Sequence, residues 1–149
     1  MIKVNEERLV AEFIELVQID SETKFEAEIA EILKKKFSAL GLEVFEDESK
    51  EQTGHGAGNL ICTLHGNSDG ADPIYFTSHM DTVVPGQGIK PTIKDGLITS
   101  DGTTILGADD KAGLAAMIEA LHLIKENDIP HGDIQFIITA GEESGLVGA

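Results

Sequence analysis

The sequence is short of the residues on which several kinds of protein depend. Of its 149 residues one is cysteine, one is tyrosine and none is tryptophan. A lone Cys62 excludes both an internal disulfide framework and a CxxC zinc ribbon. Basic residues are scarce, with 11 Lys+Arg against 27 Asp+Glu and a formal net charge of −16. Such a surface repels phosphate, which argues against nucleic acid and anionic membranes as partners. Long apolar runs are missing too. Glu119 interrupts the stretch 113–124 and Gln135 the stretch 134–140, and both fall short of the ~18 apolar residues of a membrane span. Glu6 and Glu7 stand where a signal peptide needs an apolar core. A cytoplasmic protein is expected, with metal cations and small substrates as its ligands.

What is present has the periodicity of a mixed α/β domain, and at ~150 residues a chain buries about two thirds of its unfolded surface. Val10, Phe13, Ile14 and Val17 mark one face of a helix over 5–19, capped by Asn5. Thr23 and Glu26 have the spacing of a capping box ahead of Phe25, Ile29, Ile32, Leu33 and Phe37, with Gly41 closing that helix. Lys34-Lys35-Lys36 reads as its solvated last turn. Strands are expected at 42–46, 59–64, 74–78 and 134–139, and a helix at 110–126. Cys62 falls within a strand, as a buried inert thiol would. Asp95-Gly96 and Asp101-Gly102 are turn dipeptides within a hairpin or ordered loop over 85–106. A helical crossover makes strands 74–78 and 134–139 parallel neighbours in one sheet. The chain stops where a further helix is due, so a domain cut short is expected.

Three polar stretches stand beside these elements: Thr77-Ser78-His79-Met80-Asp81-Thr82, Gly107-Ala108-Asp109-Asp110-Lys111-Ala112-Gly113 and Ala140-Gly141-Glu142-Glu143-Ser144. Two follow apolar strands and one opens a helix, so all three can meet beyond the carboxyl ends of the strands. His79 and Asp81 fit a metal ligand with an orienting carboxylate, and equally a satisfied loop histidine beside a turn aspartate. Asp109 fits an N-cap with Asp110 in the first turn. Glu142-Glu143 is harder to explain structurally, because adjacent glutamates at the end of a buried strand repel unless a cation or solvent separates them. From 101 to 149 nine acids face two lysines. Other signatures fail. Residues 141–145 are G-x-x-S-G and not a nucleophile elbow, no HExxH occurs, and Asp109 and Asp110 would oppose phosphate in any P-loop. Gly54-His55-Gly56-Ala57-Gly58 opens no helix, so a dinucleotide site is not expected there and His55 reads as a solvated loop histidine. His65, His122 and His131 show no partner pattern.

Taken in order, Tyr75 to Val83, Asp109 to Gly113 and Gly141 to Gly145 resemble the co-catalytic zinc peptidases of the peptidase T, acetylornithine deacetylase and aminoacylase clan. The resemblance implies a three-layer α/β/α catalytic domain with a mixed sheet, here truncated, with residues 1–149 as its N-terminal portion. It makes His79 a ligand of one metal, Asp81 the carboxylate orienting it, Asp109 the bridge between two metals, Glu143 a ligand of the second and Glu142 the general base. Asp110 and Lys111 are helix-start neighbours. The implied cofactor is a pair of zinc ions, with cobalt or manganese as substitutes. Ile105-Leu106-Gly107 replaces the Gly-Arg-Gly frequent in the deacetylase branch, which points to a tripeptide aminopeptidase and a small peptide substrate. The alternatives are an N-acyl-amino-acid deacylase with the same centre, or a non-catalytic acidic module binding cations or a protein. The clan also supplies a further acidic ligand, a further histidine and an inserted lid and dimerisation domain, none of them in these residues. The complete enzyme is expected to be a homodimer, and the fragment to be inactive and to self-associate.

Overall fold

The computed structural model describes residues 1–149. Its elements are α1 (Glu6–Val17), α2 (Ala27–Ala39), β1 (Glu43–Glu46), α3 (Ser49–Thr53), β2 (Leu60–Leu64), β3 (Ile74–His79), β4 (Thr92–Lys94), β5 (Leu97–Thr99), α4 (Ala108–Glu126) and β6 (Ile134–Thr139), followed by a 3₁₀ turn at Glu142–Ser144. The main sheet has the order β1-β2-β6-β3. β3 and β6 run parallel and the other pairings antiparallel, which is the expected mixed sheet. α4 is the crossover between the parallel pair, as a connection of that length requires. No helix is long and apolar enough to cross a membrane.

The sheet buries one face. Leu60 and Cys62 of β2 and Ile134, Phe136 and Ile138 of β6 join Leu16, Leu33, Phe37, Leu114 and Leu121 of the helices in one core. Phe136 lies at its centre, 5.8 Å from the ring of Phe37 and 5.5 Å from that of Phe76. On the opposite face Ile61 pairs with Ile137, and Phe45 and Tyr75 are exposed. These residues therefore build one helical layer; the second layer of the three-layer arrangement is not among them.

Several local expectations hold and some do not. Asn5 caps α1 by accepting the Arg8 N–H at 3.0 Å. The Thr23/Glu26 capping box does not form: Glu26 itself occupies the N-cap of α2, its side chain makes no cap bond, and Phe25 is exposed. Gly41, at φ +87°, follows the end of α2 in the left-handed conformation that terminates helices. Lys34 and Lys36 are not simply solvated. Lys34 reaches Glu46 of β1 at 2.8 Å, and Lys36 reaches Glu12 and Glu15 of α1 at 2.9 Å each. Asp95-Gly96, both at positive φ, close the β4-β5 hairpin. Burial pushes the Cys62 thiol up to about 12, so it is inert.

Because Phe136 contacts both aromatic neighbours and is 2% exposed, Phe136→Ala should destabilise the chain by about 3–5 kcal/mol. Urea unfolding measures this, and a loss under about 1 kcal/mol would mean that the ring is not at the centre of the core.

Candidate metal centre

His79 and Thr139 are register partners at the carboxyl ends of β3 and β6, so the segments that follow the two strands leave the sheet side by side. The crossover α4 starts from the same edge, with Asp109 against His79. The three polar stretches, with 24 and 26 residues between them in sequence, thus converge, as functional loops do in open α/β sheets.

His79 is nearly buried, its side chain 10% exposed. Its Nδ1 donates to the backbone carbonyl of Asp81 at 2.9 Å, since a carbonyl can only accept. Nε2 then faces the carboxylate of Asp109, 3.0 Å from Oδ1. The Asp81 carboxylate lies farther off, 3.4 Å from Nδ1, so the main-chain oxygen is the imidazole's closer support. That carboxylate is fully buried and accepts two backbone N–H groups, from Glu142 at 3.0 Å and Glu143 at 3.1 Å.

Of the two readings of Asp109, the N-cap does not hold, and Asp110 is the helix-start neighbour that the resemblance implies. Asp110 does the capping: Oδ1 accepts the Gly113 N–H at 3.2 Å and Oδ2 the Ser78 hydroxyl at 2.6 Å. A Cβ on Gly113 would lie 2.5 Å from those oxygens, which is why glycine stands there. Asp109 has no cap bond, departs from helical φ/ψ, and leaves its side chain 84% exposed toward His79. Lys111 points inward. Its Nζ donates to the Ile19 carbonyl at 2.6 Å, and burial lowers the ammonium to about 8.

The glutamate pair sits on the 3₁₀ turn, entered through Gly141 at φ +70°. Donor atoms of His79, Asp109 and Glu143 all lie within 4.8 Å of one another. Glu142 stays outside this trio, with Oε2 3.9 Å from His79 Nε2. One imidazole nitrogen and two carboxylates in that span fit a zinc-type cation by donor chemistry. The electrostatics agree. Burial opposes a charge on His79, but its bonds to Asp81 and Asp109 prevail and hold the imidazole up to about 9. Burial raises Glu143 above the usual carboxylate range; His79 opposes this, while Asp109, Glu142 and Asp81 add to it. A cation would relieve both departures.

His55 is a residue that sequence reasoning missed. The structure buries it behind the turn instead of leaving it solvated. Its only sequence signal was the glycine on either side, which allows close packing without showing against what.

A mixed α/β sheet with a histidine and carboxylate cluster able to hold a cation beyond its parallel strands is the class of protein these observations define. Residues 59–149 match peptidase family M28, and the chain belongs to that family. It is 74% identical to aminopeptidase PepT of Bacillus cereus, whose solved structure superposes with a TM-score of 0.96 over 97% of this chain and 39% of that one. It is 62% identical to a tripeptidase of Staphylococcus aureus, with a TM-score of 0.94 over the same shares. It is 68% identical over 146 residues to the YqjE protein of Bacillus subtilis, covering 98% of this chain and 39% of that protein. The chain therefore spans about two fifths of the length of these relatives.

In the metal-free chain, the His79 imidazole should titrate near 9, and Asp109→Asn should lower that value because it removes a negative charge that favours the charged ring. NMR titration with a chelator present reads both. Since a cation must displace the Nε2 proton, affinity for zinc should rise with pH up to about 9. A pH-independent affinity between 6 and 9 would contradict this site.

Proposed function

We propose that the full-length protein is a metal-dependent aminopeptidase of short peptides, tripeptides first among them. The observation that carries this reading is the convergence of His79, Asp109 and Glu143 within 4.8 Å, in a chain that shares 62% identity with a protein named a tripeptidase. Zinc is the proposed cofactor, as a pair of ions with cobalt or manganese able to replace it. His79 and Glu143 would each hold one ion and Asp109 would lie between the two. When bound, such a pair supplies an acidified water and a polarised scissile carbonyl.

The chain's own residues do the rest. Asp81 holds the His79 ring through its carbonyl and the glutamate turn through its carboxylate. Glu142, outside the donor trio and partly open to solvent, is placed to take a proton from the attacking water on its carboxylate oxygen. It then delivers that proton to the leaving amine nitrogen as the peptide bond breaks. The two adjacent glutamates thereby divide the work between cation binding and proton transfer.

In the full-length protein Glu142→Gln should abolish turnover and leave metal content nearly intact, because the amide keeps the shape and cannot accept the proton. Asp109→Asn should reduce metal occupancy. Metal analysis and tripeptide hydrolysis on both variants decide the matter, and an active Glu142 variant would falsify the general-base role.

We further propose that residues 1–149 are the N-terminal portion of the catalytic domain, and that the full-length protein adds the remaining ligands and covers the open sheet face. Only His79, Asp109 and Glu143 would hold a pair of ions here, where a catalytic zinc typically takes about three protein ligands of its own. Residues 1–149 alone should bind zinc weakly and release no N-terminal residue from a tripeptide. Exposed Ile74, Tyr75 and Phe76 on the edge strand β3 should make the free chain run larger than a monomer in light scattering. A monodisperse, active monomer would overturn this assignment.

A further inference from the structure

Behind the glutamate turn lies a second buried cluster that the proposed chemistry does not use. Glu26, fully buried, accepts three N–H groups. Its Oε1 takes the Lys24 N–H and His55 Nδ1, and its Oε2 the Gly56 N–H, all at 2.9 Å. On the other side of the ring, Nε2 of His55 faces the hydroxyl of Ser144 at 3.4 Å. The His55 side chain is only 3% exposed, and the turn rests directly on its ring. A Cβ added to Gly141 would meet His55 Cε1 at 2.5 Å and Nδ1 at 2.7 Å. Gly141 and Ser144 bracket Glu142 and Glu143, whose own N–H groups are tied to Asp81 on the other side.

We propose that His55, held by Glu26, is a positioning residue that fixes Glu142 and Glu143 by packing under Gly141 and contacting Ser144. This rests on the metal-centre reading above. The physical reason is that a 3₁₀ turn of three residues has too few internal bonds to be stiff by itself, while two carboxylates serving a cation must be held within about 0.5 Å. The order Glu26-His55-Ser144 also suggests an activated serine, but the local geometry disfavours it. The Ser144 hydroxyl is nearer to the Gly141 carbonyl, at 3.1 Å. The neighbouring N–H groups of Gly145 and Leu146 both donate to the Glu142 carbonyl, at 3.1 and 3.0 Å, so neither is free to stabilise an oxyanion.

The test uses the full-length protein with His55→Ala, His55→Gln, Ser144→Ala and the His55/Ser144 double alanine variant, with His65→Ala as an exposed control. Zinc affinity is read by chelator competition, and tripeptide kinetics are normalised to folded protein. His55→Ala should lower kcat and zinc affinity by roughly tenfold to a hundredfold with KM little changed. His55→Gln should recover part of the loss, because its amide can still donate to Glu26. Ser144→Ala should show a smaller loss in the same direction, and the double variant should lose less than the sum of the two. If His55→Ala fails to fold, Ser144→Ala and His55→Gln carry the same test. Wild-type kcat and zinc affinity in the folded variants, or strictly additive losses, would overturn the proposal, as would covalent labelling of Ser144 by a fluorophosphonate. Unchanged zinc binding and hydrolysis in His79→Ala would instead sink the metal-centre reading, whatever His55 does.

Discussion

A carboxylate sealed from water has to find its donors inside the protein, and the way Asp81 does so sets the geometry of everything around it. It is fully buried and accepts the N–H groups of Glu142 and Glu143, while its carbonyl holds His79. Burial pushes its pKa up, but His79, the two N–H groups and Thr23 outweigh that and hold it below the ordinary aspartate range. The charged form is thus the one the fold favours. The associated stability is present above the ordinary aspartate value of 3.8 and is lost as pH falls below it. Because one side chain binds the segment after β3 to the segment after β6, neither can shift without breaking hydrogen bonds to a buried carboxylate, each worth about 1.5–3 kcal/mol. The parallel pairing of β3 with β6 supplies the proximity, and Asp81 turns that proximity into a fixed distance.

The same region concentrates charge of one sign. Asp81, Asp109, Glu142 and Glu143 surround a single imidazole in a chain whose net charge is −16. Asp81 is stabilised by backbone dipoles, but Glu143 is pushed up by burial and by its acidic neighbours, with only His79 opposing. In an arrangement of this kind a bound cation would offset the repulsion, and its binding would be coupled to local order. The acidity of the whole chain has its local counterpart here.

Much of this was legible in the sequence because it rests on local pattern. The apolar runs of β3 and β6, the 3.6-residue period of α4 and the Asp95-Gly96 turn lie in contiguous windows. So did the three polar stretches, whose order carried the family resemblance. What failed was decided at long range. Glu26 has capping-box spacing from Thr23, yet its carboxylate goes to His55 and Gly56, 29 and 30 residues away. His55 sits among glycines and looks solvated until Gly141 is seen to pack on its ring. Phe25 obeys the helical period but precedes the first turn of α2 and stays exposed. For Glu26 and His55 a distant partner overrode the local rule, whereas Phe25 lies before the helix whose period it obeys.

The adjacent triplet Asp109-Asp110-Lys111 shows how one short stretch resolves such competition. A helix start needs a side-chain acceptor for its free N–H groups, and an aspartate that serves as cap is not free to face a cation. Asp110 takes the capping role and also accepts from Ser78, tying the start of α4 to β3. Lys111 turns inward to the Ile19 carbonyl and anchors the same point to the segment after α1. With its two successors committed to the scaffold, Asp109 can keep a largely exposed carboxylate and still have it held 3.0 Å from His79. Both aspartates look alike to a reader of caps, and the structure commits Asp110 to the backbone and leaves Asp109 uncommitted. The second aspartate is therefore what leaves the first free to face His79.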